Sequence, residues 1–189
     1  MTALRFEPLT IERWPDLERL FGSRGACGGC WCMAWRKSRA EFQRDKGEGN
    51  RASLKALVDN GHEPGLLALD GDLPVGWCAV APREDYVFLD RSRVLRRVDD
   101  APVWSVSCLF VARSHRHQGV SVALLRAATE FVRVRGGRIV EGYPIEPKKG
   151  LMPDVFAWTG LLDAFLAAGF KEIPRWSDSR PLLRYTIGS

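Results

Sequence analysis

A β-rich run that passes through a basic, glycine-containing turn into an amphipathic helix constrains the fold more than any other feature of the sequence. The run is VWSVSCLFVA, residues 103–112, and RSHRHQG follows at 113–119. In the helix, apolar side chains recur at steps of four and three and predict one apolar face, with these members: Val120, Leu124, Ala127, Phe131 and Val134. A buried strand followed at once by such a helix is typical of mixed α/β sheets.

The remaining patterns predict one domain, residues 1–189, built as a single mixed α/β sheet with helices on both faces. Strands are predicted in LRFEPLT, in RIVEGYPI and, near the C-terminus, in FKEIP and LLRYTI; GLLALD and PVGWCAVAP predict a hairpin. Helices are predicted in WPDLERLFGS and in RASLKALVD, which Asn50 would cap. A last helix is predicted from Val155, Trp158, Leu162 and Phe165.

Charge and hydropathy exclude several classes of protein. The net charge of +5 comes from 28 Lys and Arg against 23 Asp and Glu, without a basic block, so we expect no nucleic-acid partner. No apolar run reaches the roughly 18 residues of a membrane span, and the N-terminus lacks the apolar core of a signal peptide. We therefore expect a cytoplasmic protein, without a membrane partner, whose five cysteines are reduced.

The turn before the long helix has the features of an anion site. Backbone N–H groups at a helix start have no internal acceptor and carry the positive end of the helix dipole. Gly119 would let a bulky phosphate approach the backbone, and Arg116 would add a bidentate donor. The pattern is neither a dinucleotide fingerprint nor a nucleotide phosphate loop.

The segment LFVARSHRHQGVSVALL resembles the coenzyme A signature of the GNAT superfamily of N-acetyltransferases, a strand followed by Arg/Gln-x-x-Gly-x-Gly/Ala and a helix. Ser121 departs from the Gly or Ala of that signature but is also small. RIVEGYPI and LLDAFLAAGFKEI are similar to the family's fifth strand and its last helix and strand. The resemblance implies a sheet of about seven strands that splays between strands four and five.

The resemblance also implies acetyl-CoA as co-substrate and a cofactor site. Pantetheine would lie along Leu109, Phe110 and Val111, pairing with the backbones of the first and last. The pyrophosphate would lie on the loop residues Arg116, His117, Gln118, Gly119, Val120 and Ser121. The activity implied is transfer of acetyl directly to a primary amine, and family members are often homodimers.

The sequence offers three candidates for the catalytic groups. Phe165 stands where many relatives have a Tyr that acts as general acid, and strand four has no carboxylate. Tyr143, Glu141 and Glu146, on or just after strand five, are the candidates for proton transfer, because a carboxyl group in an apolar cleft is a suitable base. The alternatives are that Glu141 forms a surface ion pair and that Glu146 caps or solvates a loop.

The run CGGCWCMAWR, residues 27–36, would form one wall of the acceptor site. Trp31, Met33, Trp35 and Arg36 are suited to a flat or apolar acceptor, which we expect to be a small molecule with an anionic group near Arg36. Alternatively, Trp31 and Trp35 hold a short helix to the core. Cys27, Cys30 and Cys32 lack an evident fourth ligand, so we predict no metal site, although a zinc or redox role stays open. A catalytically weak acyl-CoA sensor with the same fold is the alternative to an enzyme.

Overall fold

A mixed sheet is the frame of the protein. The computed structural model describes residues 3–146, 157–174, 176–177 and 180–188. In these ranges the sheet has seven strands in the order β1-β2-β3-β4-β5-β7-β6, and only β4 and β5 are parallel neighbours. Their bounds are β1 Arg5–Pro8, β2 Gly65–Asp70, β3 Leu73–Pro82, β4 Trp104–Val111, β5 Ile139–Gly142, β6 Lys171–Ile173 and β7 Leu182–Thr186.

Helices cover both faces of this sheet, as the sequence predicts. The described α-helices are α1 Trp14–Phe21, α2 Arg39–Arg44, α3 Glu48–Asp59, α4 Val87–Arg91, α5 Val120–Arg133 and α6 Leu162–Ala167. One core lies between α5 and the sheet, and a second lies on the opposite face under α1 and α3. Within the described ranges, no helix has the length and apolar character needed to cross a membrane.

The apolar face of α5 differs in part from the prediction. Val120, Leu124 and Phe131 are buried, whereas Val134 is 61% exposed and follows the last helical residue. A seven-residue repeat drifts by about 20° per heptad on a straight helix, so the predicted stripe leaves the core face after two heptads. The buried face is completed instead by Leu125, Ala128 and Val132.

The predicted start of α3 is wrong. This helix begins before Asn50, so Asn50 does not cap it. The buried side-chain amide of Asn50 instead donates hydrogen bonds to the carbonyls of Gly29 and Phe42. Asn50 therefore connects α3 to α2, through Phe42, and to the glycine-rich segment that contains Gly29.

The predicted start of the last helix is also wrong. Helix α6 begins at Leu162, so Trp158 precedes it, and Val155 lies outside the described residues. Leu161 occupies the cap position, where an apolar side chain cannot accept a hydrogen bond from the backbone. The sequence therefore carries no capping signal that would mark this boundary.

The sheet opens between β4 and β5, as the resemblance implies. The two strands pair only from Trp104 opposite Val140 to Val106 opposite Gly142, where β5 ends, while β4 continues to Val111. The segment 157–161 enters the gap, where the Trp158 carbonyl accepts a hydrogen bond from the Leu109 N–H at 2.7 Å. A second irregularity lies on the other edge of β4, where Ser107 is skipped in the pairing with β3 and forms a β-bulge.

Candidate active site

The turn between β4 and α5 presents a row of unpaired backbone donors. His117 and Gly119 have positive φ values of 58° and 79°, which turn the chain into the helix. The first helical hydrogen bond of α5 runs from the Ala123 N–H to the Gly119 carbonyl at 3.0 Å. Among the described residues, none supplies an acceptor for the N–H groups of residues 117–122. These donors and the helix dipole make the turn suitable for a polyanion.

A cavity of about 520 Å³ lies in front of this turn, and we call it the loop cavity. It extends from the turn along β4 to the segment 157–161 and to α6. Of the nine residues predicted to bind the cofactor, eight line it: Leu109, Phe110, Val111, Arg116, His117, Gly119, Val120 and Ser121. Gln118 is the exception, because its side-chain amide donates to the Ser114 carbonyl at 2.9 Å.

The β4 edge of the loop cavity is already partly paired. The Leu109 N–H, predicted to pair with pantetheine, donates to the Trp158 carbonyl. The Val111 carbonyl accepts a hydrogen bond from Arg116 Nε at 3.1 Å. A ligand that pairs with this edge therefore has to exchange with these two contacts.

A smaller cavity of about 240 Å³ continues from the loop cavity, and we call it the thiol cavity. The two cavities share Cys27 and Trp158 in their walls. The other lining residues are Cys30, Cys32, Ala34, Trp35, Phe42, Ser107 and Cys108. The bulge at Ser107 explains why two consecutive residues of β4 face the same cavity. Along β4, the wall passes from the loop cavity at Val111 to the thiol cavity at Ser107.

Two thiols of this cavity, those of Cys30 and Cys32, have raised pKa values. The hydrogen bond with Cys108, together with burial, raises the pKa of the Cys32 thiol well above its usual range. The hydrogen bond with Cys32, together with burial, raises the pKa of Cys30. Cys32 Sγ also accepts a hydrogen bond from Trp77 Nε1 at 3.2 Å. Within the described ranges, no group of three or more His, Cys, Asp or Glu side chains could hold a metal ion.

The four residues predicted to bind the acceptor lie in three different places. Trp31 is buried in the second core, stacked on Trp14 with ring centroids 6.0 Å apart, and it follows the alternative interpretation of core packing. Trp35 lines the thiol cavity and is also buried in a third core beside Tyr86 and Tyr143, so core packing applies to it as well. Met33 and Arg36 line a separate cavity of about 610 Å³, which has no lining residue in common with the loop cavity. Of the four, Trp35 alone therefore lies in a cavity that adjoins the predicted cofactor site.

Two of the predicted catalytic residues belong to a buried ionic network. Glu141 accepts hydrogen bonds from Tyr143 Oη at 2.6 Å, from Arg83 Nη1 at 3.2 Å and from Arg184 Nε at 2.7 Å. Tyr143 Oη also lies 2.8 Å from Ser105 Oγ, and burial raises the pKa of this phenol further above its usual value. Neither Glu141 nor Tyr143 lines any of the three cavities. The network joins the sheet to the segment after β3, which favours a structural role.

Glu146 and Phe165 have contrasting environments. Glu146 is exposed, immediately after the bridge that pairs Ile145 with Leu161. Phe165 is fully buried on α6, with its ring 5.1 Å from that of Phe170. A hydroxyl on this ring would therefore lie in the core between α6 and the sheet.

Two polar side chains were not identified from the sequence as functional candidates. Ser107 Oγ and Tyr86 Oη are buried, and neither makes a hydrogen bond of ordinary geometry with the described side chains and backbone. Burial raises the pKa of Tyr86 to about 12, and the charge of Arg36, followed by the nearby Ser107 hydroxyl, partly offsets that rise. Ser107 lines the thiol cavity. A serine within an apolar strand is the one available signal, but only the bulge shows where its hydroxyl lies.

The open sheet and the unpaired turn are the features that the sequence resemblance implies for an acyl-CoA site. Residues 31–142 match the model of the Acetyltransferase (GNAT) family. The chain belongs to this family; it is an acetyltransferase, and acetyl-CoA is its co-substrate. Comparison with curated proteins finds no match.

Solved structures of acetyltransferases share the fold across nearly the whole chain. PaiA N-acetyltransferase from Thermoplasma acidophilum is 12% identical, with 98% of this chain and 100% of that chain covered and a TM-score of 0.53. Ribosomal-protein-alanine N-acetyltransferase from Brucella melitensis is 13% identical, with 97% and 99% covered and a TM-score of 0.54. A GNAT acetyltransferase from Listeria monocytogenes is 8% identical, with 97% and 95% covered and a TM-score of 0.59.

Proposed function

We propose that this protein is an N-acetyltransferase that moves the acetyl group of acetyl-CoA directly onto a primary amine of a small molecule. The observation that carries the proposal is the loop cavity, because its unpaired N–H groups lie at one end and the thiol cavity opens at the other. The structure of PaiA N-acetyltransferase, which has the same fold, contains coenzyme A.

In this proposal the diphosphate of acetyl-CoA binds the N–H groups of residues 117–122, with Arg116 beside it. The pantetheine arm follows the edge of β4 from Val111 to Leu109 and takes over the Leu109 N–H from the Trp158 carbonyl. Phe110, which lines the same cavity, contacts the arm through its ring. The thioester then reaches the boundary with the thiol cavity, where the acceptor binds.

The reaction is one substitution at the thioester carbonyl. The amine nitrogen forms a bond to the carbonyl carbon, the carbon–sulfur bond breaks, and the proton lost by the amine balances the thiolate, so that the products are an N-acetyl amine and free CoA. Of the three residues predicted for proton transfer, Glu146 alone is exposed, so we keep it as the candidate base. Correct positioning of amine and thioester supplies much of the rate.

A catalytically weak acyl-CoA sensor is the second candidate. Among the described lining residues, neither the loop cavity nor the thiol cavity contains a carboxylate, and Phe165 lacks the hydroxyl that would make it an acid. A protein with this site would bind the cofactor without transferring its acetyl group.

Calorimetry and a thiol-release assay test both candidates with one preparation. We expect acetyl-CoA and CoA to bind. With at least one amine of a panel of primary amines, we expect free CoA to be released from acetyl-CoA and the mass of the amine to rise by that of one acetyl group in place of a proton. Binding without turnover on any amine would support the sensor. An absence of heat with both CoA forms would contradict both candidates.

A further inference from the structure

We propose that the acceptor is a small, apolar primary amine of low basicity, an aromatic amine of one ring, and that it binds in the thiol cavity. The inference rests on the proposed function and names the substrate class of the same site. It depends on three properties of that cavity, namely its size, the chemistry of its walls and the buried hydroxyl of Ser107.

The size of the thiol cavity limits the acceptor. Its volume is about 240 Å³. For comparison, an apolar protein cavity of about 150 Å³ holds one benzene molecule. The thiol cavity therefore has room for a ring with an amino group and a further small substituent. An extended polyamine, an oligosaccharide or a peptide would not fit within it.

The walls of the thiol cavity disfavour a charged amine. They consist of four cysteine side chains, Ala34, Ser107 and the rings of Trp35, Phe42 and Trp158, and the described lining residues include no carboxylate. An alkylamine, with a pKa near that of lysine at about 10.4, is an ammonium ion at neutral pH. The aromatic rings attract such an ion, but by less than the cost of burying it without a carboxylate. The nitrogen of an aromatic amine is neutral at that pH, because its lone pair is delocalised into the ring.

The same property removes the need for a strong base. A neutral aromatic amine does not have to lose a proton before it attacks the thioester, so a site without a carboxylate in its wall is sufficient for the first step. The proton leaves only after the carbon–nitrogen bond has formed. A neutral aromatic amine as acceptor therefore explains both the apolar composition of the thiol cavity and the absence of a carboxylate from its described wall.

The aromatic walls and Ser107 would orient such an acceptor. The rings of Trp35 and Trp158 meet at 72° with centroids 5.4 Å apart, so the cavity presents both a ring face and a ring edge. Ser107 Oγ is buried in the described part of this wall, where it lies near the Tyr86 hydroxyl but makes no hydrogen bond of ordinary geometry, and it can accept a hydrogen bond from the amino group. Ser107 lies two residues before Leu109 on β4, so an amine held there faces the end of the pantetheine path.

A matched set of amines tests the class of acceptor. Aniline and cyclohexylamine have nearly the same size but differ in basicity, and putrescine is a charged, polar comparison. With acetyl-CoA saturating, we expect kcat/KM for aniline to exceed that for cyclohexylamine at least tenfold and putrescine to give no product. Equal or greater activity with cyclohexylamine or putrescine would overturn the inference and leave the proposed function intact. Activity with none of many amines would instead contradict the proposed function.

A pair of serine variants tests the position of the acceptor. Ser107→Ala should raise KM for aniline about tenfold through the lost hydrogen bond, with CoA affinity unchanged. Ser53→Ala is the control, because the Ser53 hydroxyl donates to the Gly49 carbonyl on α3 and lines none of the three cavities. Unchanged aniline kinetics in Ser107→Ala would contradict the placement of the amine at Ser107.

Discussion

Replacing Gly119 by alanine separates cofactor binding from folding, because the chain offers a matched control. Gly119, at the start of α5, has φ 79°, and Gly136, beyond the other end of that helix, has φ 78°. A Cβ added at either position has no heavy atom within 4 Å, and both residues are exposed. The two substitutions therefore impose the same backbone strain without a clash in the unliganded protein.

The expected effects differ in kind. A non-glycine residue in the left-handed region costs about 1–2 kcal/mol, so each variant should lose that free energy of unfolding and, at about 2–4 °C per kcal/mol for a chain of this size, a few degrees of Tm. Only at Gly119 would the new methyl group lie in the loop cavity, where it blocks close approach of a phosphate to the N–H groups. A hydrogen bond to a charged group contributes about 1.5–3 kcal/mol, so Gly119→Ala should weaken CoA binding about 10- to 100-fold.

Calorimetry with CoA and thermal unfolding of the same samples give the two quantities. We expect similar Tm values for Gly119→Ala and Gly136→Ala, and wild-type CoA affinity for Gly136→Ala alone. If Gly119→Ala binds CoA as tightly as the wild type, the diphosphate does not lie on this turn. If Gly136→Ala weakens binding equally, backbone strain and not the site explains the loss.

Three further predictions concern other parts of the chain. Glu141→Ala should lower the free energy of unfolding, measured in urea, by about 3–5 kcal/mol, because the substitution leaves the fully buried Arg83 guanidinium without its carboxylate. A loss no larger than that of an exposed ion pair would contradict the structural role of Glu141. Cys27 is the exposed member of the five free cysteines, all of which lie in the described ranges, and it lines both the loop and the thiol cavities. Iodoacetamide should therefore block CoA binding, and bound CoA should slow the alkylation of Cys27 measured by peptide mass spectrometry. If CoA does not slow this alkylation, CoA binds elsewhere. Hydrogen bonds from Arg44 and Lys37 lower the pKa of Asp45 from 3.8 to about 2. The contribution of Asp45 to stability is therefore present above pH 3.8 and should be lost as the pH falls toward 2. Acid unfolding of the wild type that is no steeper than that of Asp45→Asn would refute this pH dependence.

The strand, turn and helix at residues 103–133 could be predicted because local pattern and tertiary role agree there. The apolar run of β4, the glycine and the amphipathic helix each carry their own signal. Helix α2 had a usable signal as well, since Ser38 and Glu41 form a capping box, but a glycine-rich and aromatic context obscured it.

The acceptor side of the site could not be predicted in the same way. Trp31 and Cys32 have positive φ values of 41° and 53°, which the sequence does not indicate for residues with side chains. This turn separates Trp31, in the second core, from Trp35, which packs in a different core and lines the thiol cavity, although both belong to one aromatic run. The bulge that directs Ser107 into the cavity likewise depends on the pairing of β4 with β3.

The contact between the Leu109 N–H and the Trp158 carbonyl has a consequence for the order of the reaction. A pantetheine arm that pairs with Leu109 takes this N–H from the backbone carbonyl of Trp158, and the ring of the same residue is a wall of the thiol cavity. Binding of the cofactor is thereby coupled to the wall against which the acceptor packs. We therefore expect ordered kinetics, in which acetyl-CoA binds first and the amine binds second.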